Sequence, residues 1–165
     1  MADGDELLGS AVGTENLIFG FELDFAGKLQ CMPMIARLKL DRCGVKLSLK
    51  QWNRMTLVER QALVQMPCDT VEEIDAYADR VSRLIVDSGD SVSRFQIDLE
   101  PAWERSDGPP AHVTDFAINA GVRPPTADEW ATLSPLQRFV VLKLTRPGHT
   151  NANLGPALRE FGLSA

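Results

Sequence analysis

Long hydrophobic runs are missing from this sequence. No stretch of about 18 apolar residues occurs in it, and the densest one, Phe139 to Leu144, is interrupted by Lys143. A membrane-spanning helix is therefore not expected. Positive charge is missing from the start, since nothing basic precedes Lys28 in a leader that begins MADGDELLGSAVGTEN, the reverse of a secretory or organellar targeting signal. We read residues 1–17 as a disordered acidic leader on a cytoplasmic protein and 18–165 as a single helical domain. Cysteine is scarce: Cys31, Cys43 and Cys68 are an odd number without CxxC spacing, which argues against a disulfide framework and predicts reduced thiols. There is also no Gly-rich phosphate loop, no HExxH and no nucleophile elbow. One of the two histidines, His112, falls in the first turn of a predicted helix, where it carries no evident chemistry.

What is present is a phrase used twice. SLKQWNRMTLVER begins at Ser48 and TADEWATLSPLQR at Thr126. Each opens on a capping box, Ser48 with Gln51 and Thr126 with Glu129, in which a hydroxyl and a longer acceptor satisfy orphan amides at a helix start. Each then carries a tryptophan, Trp52 or Trp130, and a second box, Thr56 with Glu59 or Ser134 with Gln137. Pro135 stands at the first helical position, where its missing N–H does no harm. Upstream, Pro33 and Pro110 open helices that run to Gly44 and Gly121, residues suited to left-handed caps. The expected fold is all-α: a small bundle of two tandem three-helix repeats, 33–66 and 110–144. A linking helix and acidic connector fill 67–109, and a C-terminal loop and helix fill 145–163. Repeated tryptophans read as core anchors, and Arg60 and Arg138 as donors to a carboxylate or carbonyl within their own repeat.

Thr70 with Glu73 forms a further capping box, followed by Val71, Ile74, Tyr77, Val81, Leu84 and Ile85 at helical spacing up to Ser88-Gly89. Two segments alternate instead: Phe19, Phe21, Leu23, Phe25 and then Phe95, Ile97, Leu99. They are expected to be a minor pair of short strands, or extended arms pinned to the bundle.

The formal net charge of -6 conceals an asymmetry. Residues 67–109 hold 11 acids and 4 bases, whereas residues 26–66 hold 8 bases and 2 acids. Either the two segments neutralise each other, or the basic one, with Lys46 and Lys50, offers a contact surface to an acidic protein. Overall acidity disfavours nucleic-acid binding.

The sequence resembles the conserved nitrate reductase-associated protein family across about Phe19 to Leu163. Three strings carry the resemblance together: Cys-x-Pro-Met at Cys31, Asp-x-Cys-Gly-Val-Lys-Leu at Asp41 and Gly-His-x-Asn-x-Asn at Gly148. The departures are the long acidic leader and Thr145-Arg146-Pro147. The resemblance implies a partner, nitrate reductase or a protein of molybdenum-cofactor synthesis or insertion, without implying a reaction.

Two candidate centres of chemistry remain. Arg146, His149, Asn151 and Asn153 crowd one loop. They read either as a capping loop or as an anion or partner site, with a guanidinium, neutral amides and a helix N-terminus as donors for nitrate, nitrite or molybdate. Cys31, Cys43 and Cys68 with His149 would make a Cys3His zinc set, but lack the close paired spacing of such sites; buried, metal-free thiols are the simpler expectation. The expectation is thus a noncatalytic accessory or binding protein of nitrate assimilation, without cofactor or metal. The alternative is a small enzyme or anion- or metal-binding protein using the His149 loop and the thiols.

Overall fold

The computed structural model describes residues 17–147 and 152–163. His149 and Asn151, with residues 1–16 of the leader, lie outside them. The regular structure is helical, and among the described residues there is no strand, only one isolated antiparallel bridge between Val45 and Arg94. The chain divides at Ile97 and Asp98 into two compact units.

The first unit opens with a 3-10 turn, Gly20–Glu22, running into α1 (Leu23–Ala26). Next come α2 (Met34–Cys43), α3 (Leu49–Arg54), α4 (Leu57–Gln65) and α5 (Val71–Asp87). Each of the three capping boxes forms as expected. In that of α3 the Gln51 N–H donates to Ser48 Oγ at 3.1 Å and the Ser48 N–H to Gln51 Oε1 at 2.9 Å; Thr56 with Glu59 and Thr70 with Glu73 do the same for α4 and α5. α2 ends on Gly44 in the left-handed conformation at φ 75°, its N–H bonded to Leu40 O.

α2 packs against α5 and α4. Trp52, Leu63, Val64, Tyr77, Val81 and Ile85 fill the space between them with almost no exposed surface. The Trp52 indole N–H donates to Leu29 O at 2.7 Å, and Arg60 Nη1 donates to the same oxygen at 2.8 Å while Nε and Nη2 reach Met55 O. Two side chains thus fix the segment entering α2 to the α3–α4 turn. Tryptophan is a core anchor as expected, and Arg60 bonds to carbonyls, one within 33–66 at Met55 and one outside it at Leu29.

The strand expected over Ile18 to Phe25 is corrected by the 3-10 turn and α1. The buried residues there are Ile18, Glu22, Ala26 and Leu29, spaced four, four and three apart, which is a helical stripe. It is hidden in the sequence because one member is a glutamate, while the phenylalanines that suggested alternation are only partly covered. The second alternating segment is an extended arm. Ser93 O accepts from the Lys46 N–H at 2.9 Å, and the Phe95 N–H donates to Gly44 O at 3.0 Å. Val71, assigned to the apolar stripe of α5, is 71% exposed; it sits at the first helical position, before the stripe turns inward.

The second unit carries a 3-10 turn at Ala102–Glu104, then α6 (Ala111–Asn119), α7 (Ala127–Thr132), α8 (Pro135–Leu144) and α9 (Leu154–Glu160). Boxes at Thr126 with Glu129 and Ser134 with Gln137 start α7 and α8. Trp130 is fully buried and its indole N–H donates to Arg105 O at 3.0 Å. Arg138, 6% exposed, donates to Trp130 O and Trp103 O at 3.1 Å each and to Ala131 O at 3.4 Å. Trp103 meets Phe139 edge-on at 5.2 Å, so α8 is held against the 3-10 turn by ring contact and by guanidinium together.

Gly44 and Gly121 (φ 70°) end α2 and the α6 turn in the same left-handed region, but their surroundings differ. A Cβ on Gly44 would lie 2.8 Å from Ile97 Cγ1 and 3.1 Å from Phe95 O, whereas one on Gly121 would meet nothing within 4 Å. In urea titrations Gly121→Ala should lower stability by about 1 kcal/mol, the backbone penalty alone. Gly44→Ala should lower it by about 2 kcal/mol or more, because it also dislodges the arm.

Candidate functional site

The first unit presents a cationic edge where the α2–α3 turn meets the extended arm. Lys46 follows the bridge at Val45, and Lys50 lies in the first turn of α3, next to the half-exposed Leu49. A cation in a helix's first turn opposes the macrodipole, so local helix stability does not account for Lys50. Both lysines are exposed. Arg54, at the end of α3, is instead held by Asp90 at 2.8 Å, and Arg42 on α2 by Asp69 at 2.9 Å. These pairs join the basic and acidic segments within the unit and consume part of each charge excess. At the start of α4, Leu57 and Val58 stand 51% and 74% exposed. The edge is cationic with the half-exposed Leu49 next to Lys50, and exposed charge of one sign can steer an acidic partner to it.

The thiols occupy a different place. Cys43 and Cys68 are buried and Cys31 is half-covered. The Cys43 thiol donates to Leu40 O and the Cys68 thiol to Lys39 O, so both sulfurs lie over one turn of α2. Burial raises the pKa of each, that of Cys68 to about 11, and the nearby sulfur of Cys43 adds to the rise. Such thiols are poor nucleophiles at neutral pH. Among the described residues no three His, Cys, Asp or Glu side chains converge as metal ligands.

Beside the thiols lies a residue the sequence reading missed. Lys39 is 7% exposed and its ammonium donates to Val64 O at 2.7 Å and Met66 O at 2.5 Å. Burial lowers its pKa, with the proximity of Cys68 and Asp69 acting in the other direction. The carbonyls are those left open at the end of α4, where a cation is favoured. Glu22 does the converse job. It is completely buried, and its carboxylate accepts from the Phe19 N–H at 3.1 Å and, across twelve residues, from the Met34 N–H at 2.9 Å, capping α2 where Pro33 offers no side-chain acceptor. Neither was legible from local spacing, because the groups that hold Glu22 and Lys39 inside lie twelve and 25 residues away along the chain.

The C-terminal loop is described only at its ends. Thr145 is buried and its hydroxyl donates to Val141 O at 2.8 Å, closing α8. Arg146 is exposed and Asn153 stands, half-buried, at the N-cap position of α9. His149 and Asn151 fall outside the described residues. His112 is exposed in the first turn of α6. No helix among the described residues is long and apolar enough to cross a membrane.

Residues 18–161 match the family model described as conserved nitrate reductase-associated protein. No curated protein and no solved structure matches the chain.

The thiol environments yield a measurable order of reactivity. At pH 8 a disulfide reagent should modify Cys31 quickly, and Cys43 and Cys68 only at the rate of unfolding. The folded chain holds the Cys68 proton from the ordinary value near 9 up to about 11. Over that window the unfolded chain binds fewer protons, so stability is intact below pH 9 and falls as pH rises. Lys39, with its pKa lowered in the fold, acts in the opposite sense below about 10.4. Cys68→Ala removes this thiol together with its influence on Lys39, and the variant should lose less stability between pH 9 and 11 than the wild type does, by up to about 3 kcal/mol.

Proposed function

Because the chain belongs to the conserved nitrate reductase-associated protein family, we propose that it is a noncatalytic accessory protein of nitrate assimilation, acting in the cytoplasm. Its partner is nitrate reductase or a protein that makes or inserts the molybdenum cofactor, bound through the cationic edge of the first unit. The observation that carries the reading is the contrast among the basic residues there. Arg42 and Arg54 are neutralised by Asp69 and Asp90, and Lys39 is spent on the end of α4. Lys46 and Lys50 are left facing solvent beside Leu49. Exposed lysines raise the rate at which an acidic surface is found, and adjacent apolar side chains slow its release.

The interior supports the same reading. In the first unit the buried Glu22, Lys39, Trp52 and Tyr77 and the part-buried Arg60 are bonded to backbone, the Ser82 hydroxyl being buried without a partner, and the buried thiols are held protonated. We also infer that residues 33–66 and 110–144 are two copies of one three-helix motif. The paired capping boxes, the left-handed glycines and the indole-to-carbonyl bonds in each unit support this, and superposition of the two stretches in a crystal structure tests it.

Lys46→Glu combined with Lys50→Glu should reduce capture of the partner from nitrate-grown cells by about tenfold or more at low salt, with the difference shrinking as ionic strength rises. Because both side chains are exposed, stability should stay within about 0.5 kcal/mol of wild type. A deletion strain with normal nitrate reductase activity and normal cofactor content would refute the accessory role.

A further inference from the structure

The second unit contains a cleft of about 120 Å³ that the docking role leaves unused. One wall is the turn after α6: Gly121, Val122, Arg123 and Pro125. The Val122 N–H is bonded back to Ala117 O at 2.8 Å, and the absence of a Cβ on Gly121 leaves that side of the wall low. The other wall is α9, with Leu158 and Arg159, closed by Leu163, whose N–H returns to Leu158 O at 2.9 Å. Leu158, Leu163 and Pro125 are buried and supply an apolar floor.

Two guanidinium groups line this floor. Arg123 is fixed by a bidentate pair with Glu129, at 2.8 and 3.1 Å, and that carboxylate is fixed in turn by the Thr126 N–H. The pairing holds the Glu129 carboxyl down at about 2, so it is ionised and occupied. Arg159 has no such carboxylate among the described residues. Its Nη1 lies only 3.4 Å from where a Cβ on Gly155 would sit, so the guanidinium folds back along α9 over a residue with no side chain. A Cβ there would only touch the guanidinium at ordinary contact distance, so the arginine lies against the helix beside the cleft. Arg123, Glu129 and Arg159 together leave one positive charge.

We propose that this cleft binds the carboxylate of a small organic monoacid. The planar fork of Arg159 matches a carboxylate, the single residual charge matches a monoanion, and the apolar floor accepts a short carbon chain that an inorganic oxyanion does not have. The site differs from the loop of Arg146, His149, Asn151 and Asn153 and from the cationic edge of the first unit.

The test uses the full chain titrated with sodium butyrate while the methyl resonances of Leu158, Leu163 and Val122 are followed. Saturable shifts with a dissociation constant of about 1 mM are expected for so few heavy atoms. Arg159→Gln should weaken binding about tenfold or more. Gly155→Ala, whose Cβ would meet the guanidinium at ordinary contact distance, raises helix propensity, so it should fold at least as stably and keep wild-type affinity within about twofold. Arg146→Gln should leave it unchanged. Sodium nitrate and inorganic phosphate should bind more weakly than butyrate. The proposal is overturned by nonsaturating shifts at about tenfold higher butyrate, by equal affinity in Arg159→Gln and the wild type, by dependence on Arg146 rather than Arg159, or by nitrate or phosphate binding as tightly as butyrate.

Discussion

Helix ends govern this protein. A helix of six to ten residues leaves four N–H groups and four carbonyls open at its termini, so nearly every residue of such a helix has at least one unsatisfied backbone group. Apart from α5, the helices between Met34 and Leu144 fall in that range. Such segments are marginal in isolation, and the structure stands because side chains close the ends. Capping boxes close the starts of α3, α4, α5, α7 and α8. Each side-chain cap contributes about 1 kcal/mol.

Where a local cap is lacking, a distant side chain replaces it, and this is what joins the elements. Glu22 reaches across from the 3-10 turn to the first amide of α2, and Lys39 reaches from the middle of α2 to the last carbonyls of α4. The anion meets a helix start and the cation a helix end, the arrangement the helix dipole favours. Trp52 with Arg60, and Trp130 with Arg138, do the same for the carbonyls of turns and entering segments. A buried charge removed from such a contact leaves its partner without an acceptor or donor, a loss of about 1 to 3 kcal/mol. These contacts therefore explain why polar residues sit in the core.

Apart from Ser82 Oγ and Trp103 Nε1, which are buried without a partner, the interior polar groups described above are committed to architecture. The thiols over α2 are held protonated by burial, and the donors of Arg60 and Arg138 are taken up by carbonyls. What remains accessible is charge and apolar surface: the Lys46 and Lys50 edge in one unit and the arginine-lined cleft in the other. The name of the family links the chain to nitrate reductase, and the accessory role proposed for it needs only such surfaces.

The sequence by itself determined the all-α class, the starts of five helices, the left-handed ends at Gly44 and Gly121 and the core role of both tryptophans. All of these follow from interactions within a few residues, where spacing along the chain is also spacing in space. It misread Ile18 to Phe25, because a periodicity judged by polarity cannot include a buried glutamate whose partner is twelve residues away. Tertiary structure alone decided that Glu22 and Lys39 are interior, that Cys43 and Cys68 share one turn of α2 while Cys31 stands apart, and that Asp69 and Asp90 neutralise Arg42 and Arg54 but leave Lys46 and Lys50 in solvent. Each of these depends on which open backbone group or opposite charge a long side chain can reach once the helices have packed, a distance that sequence separation does not encode.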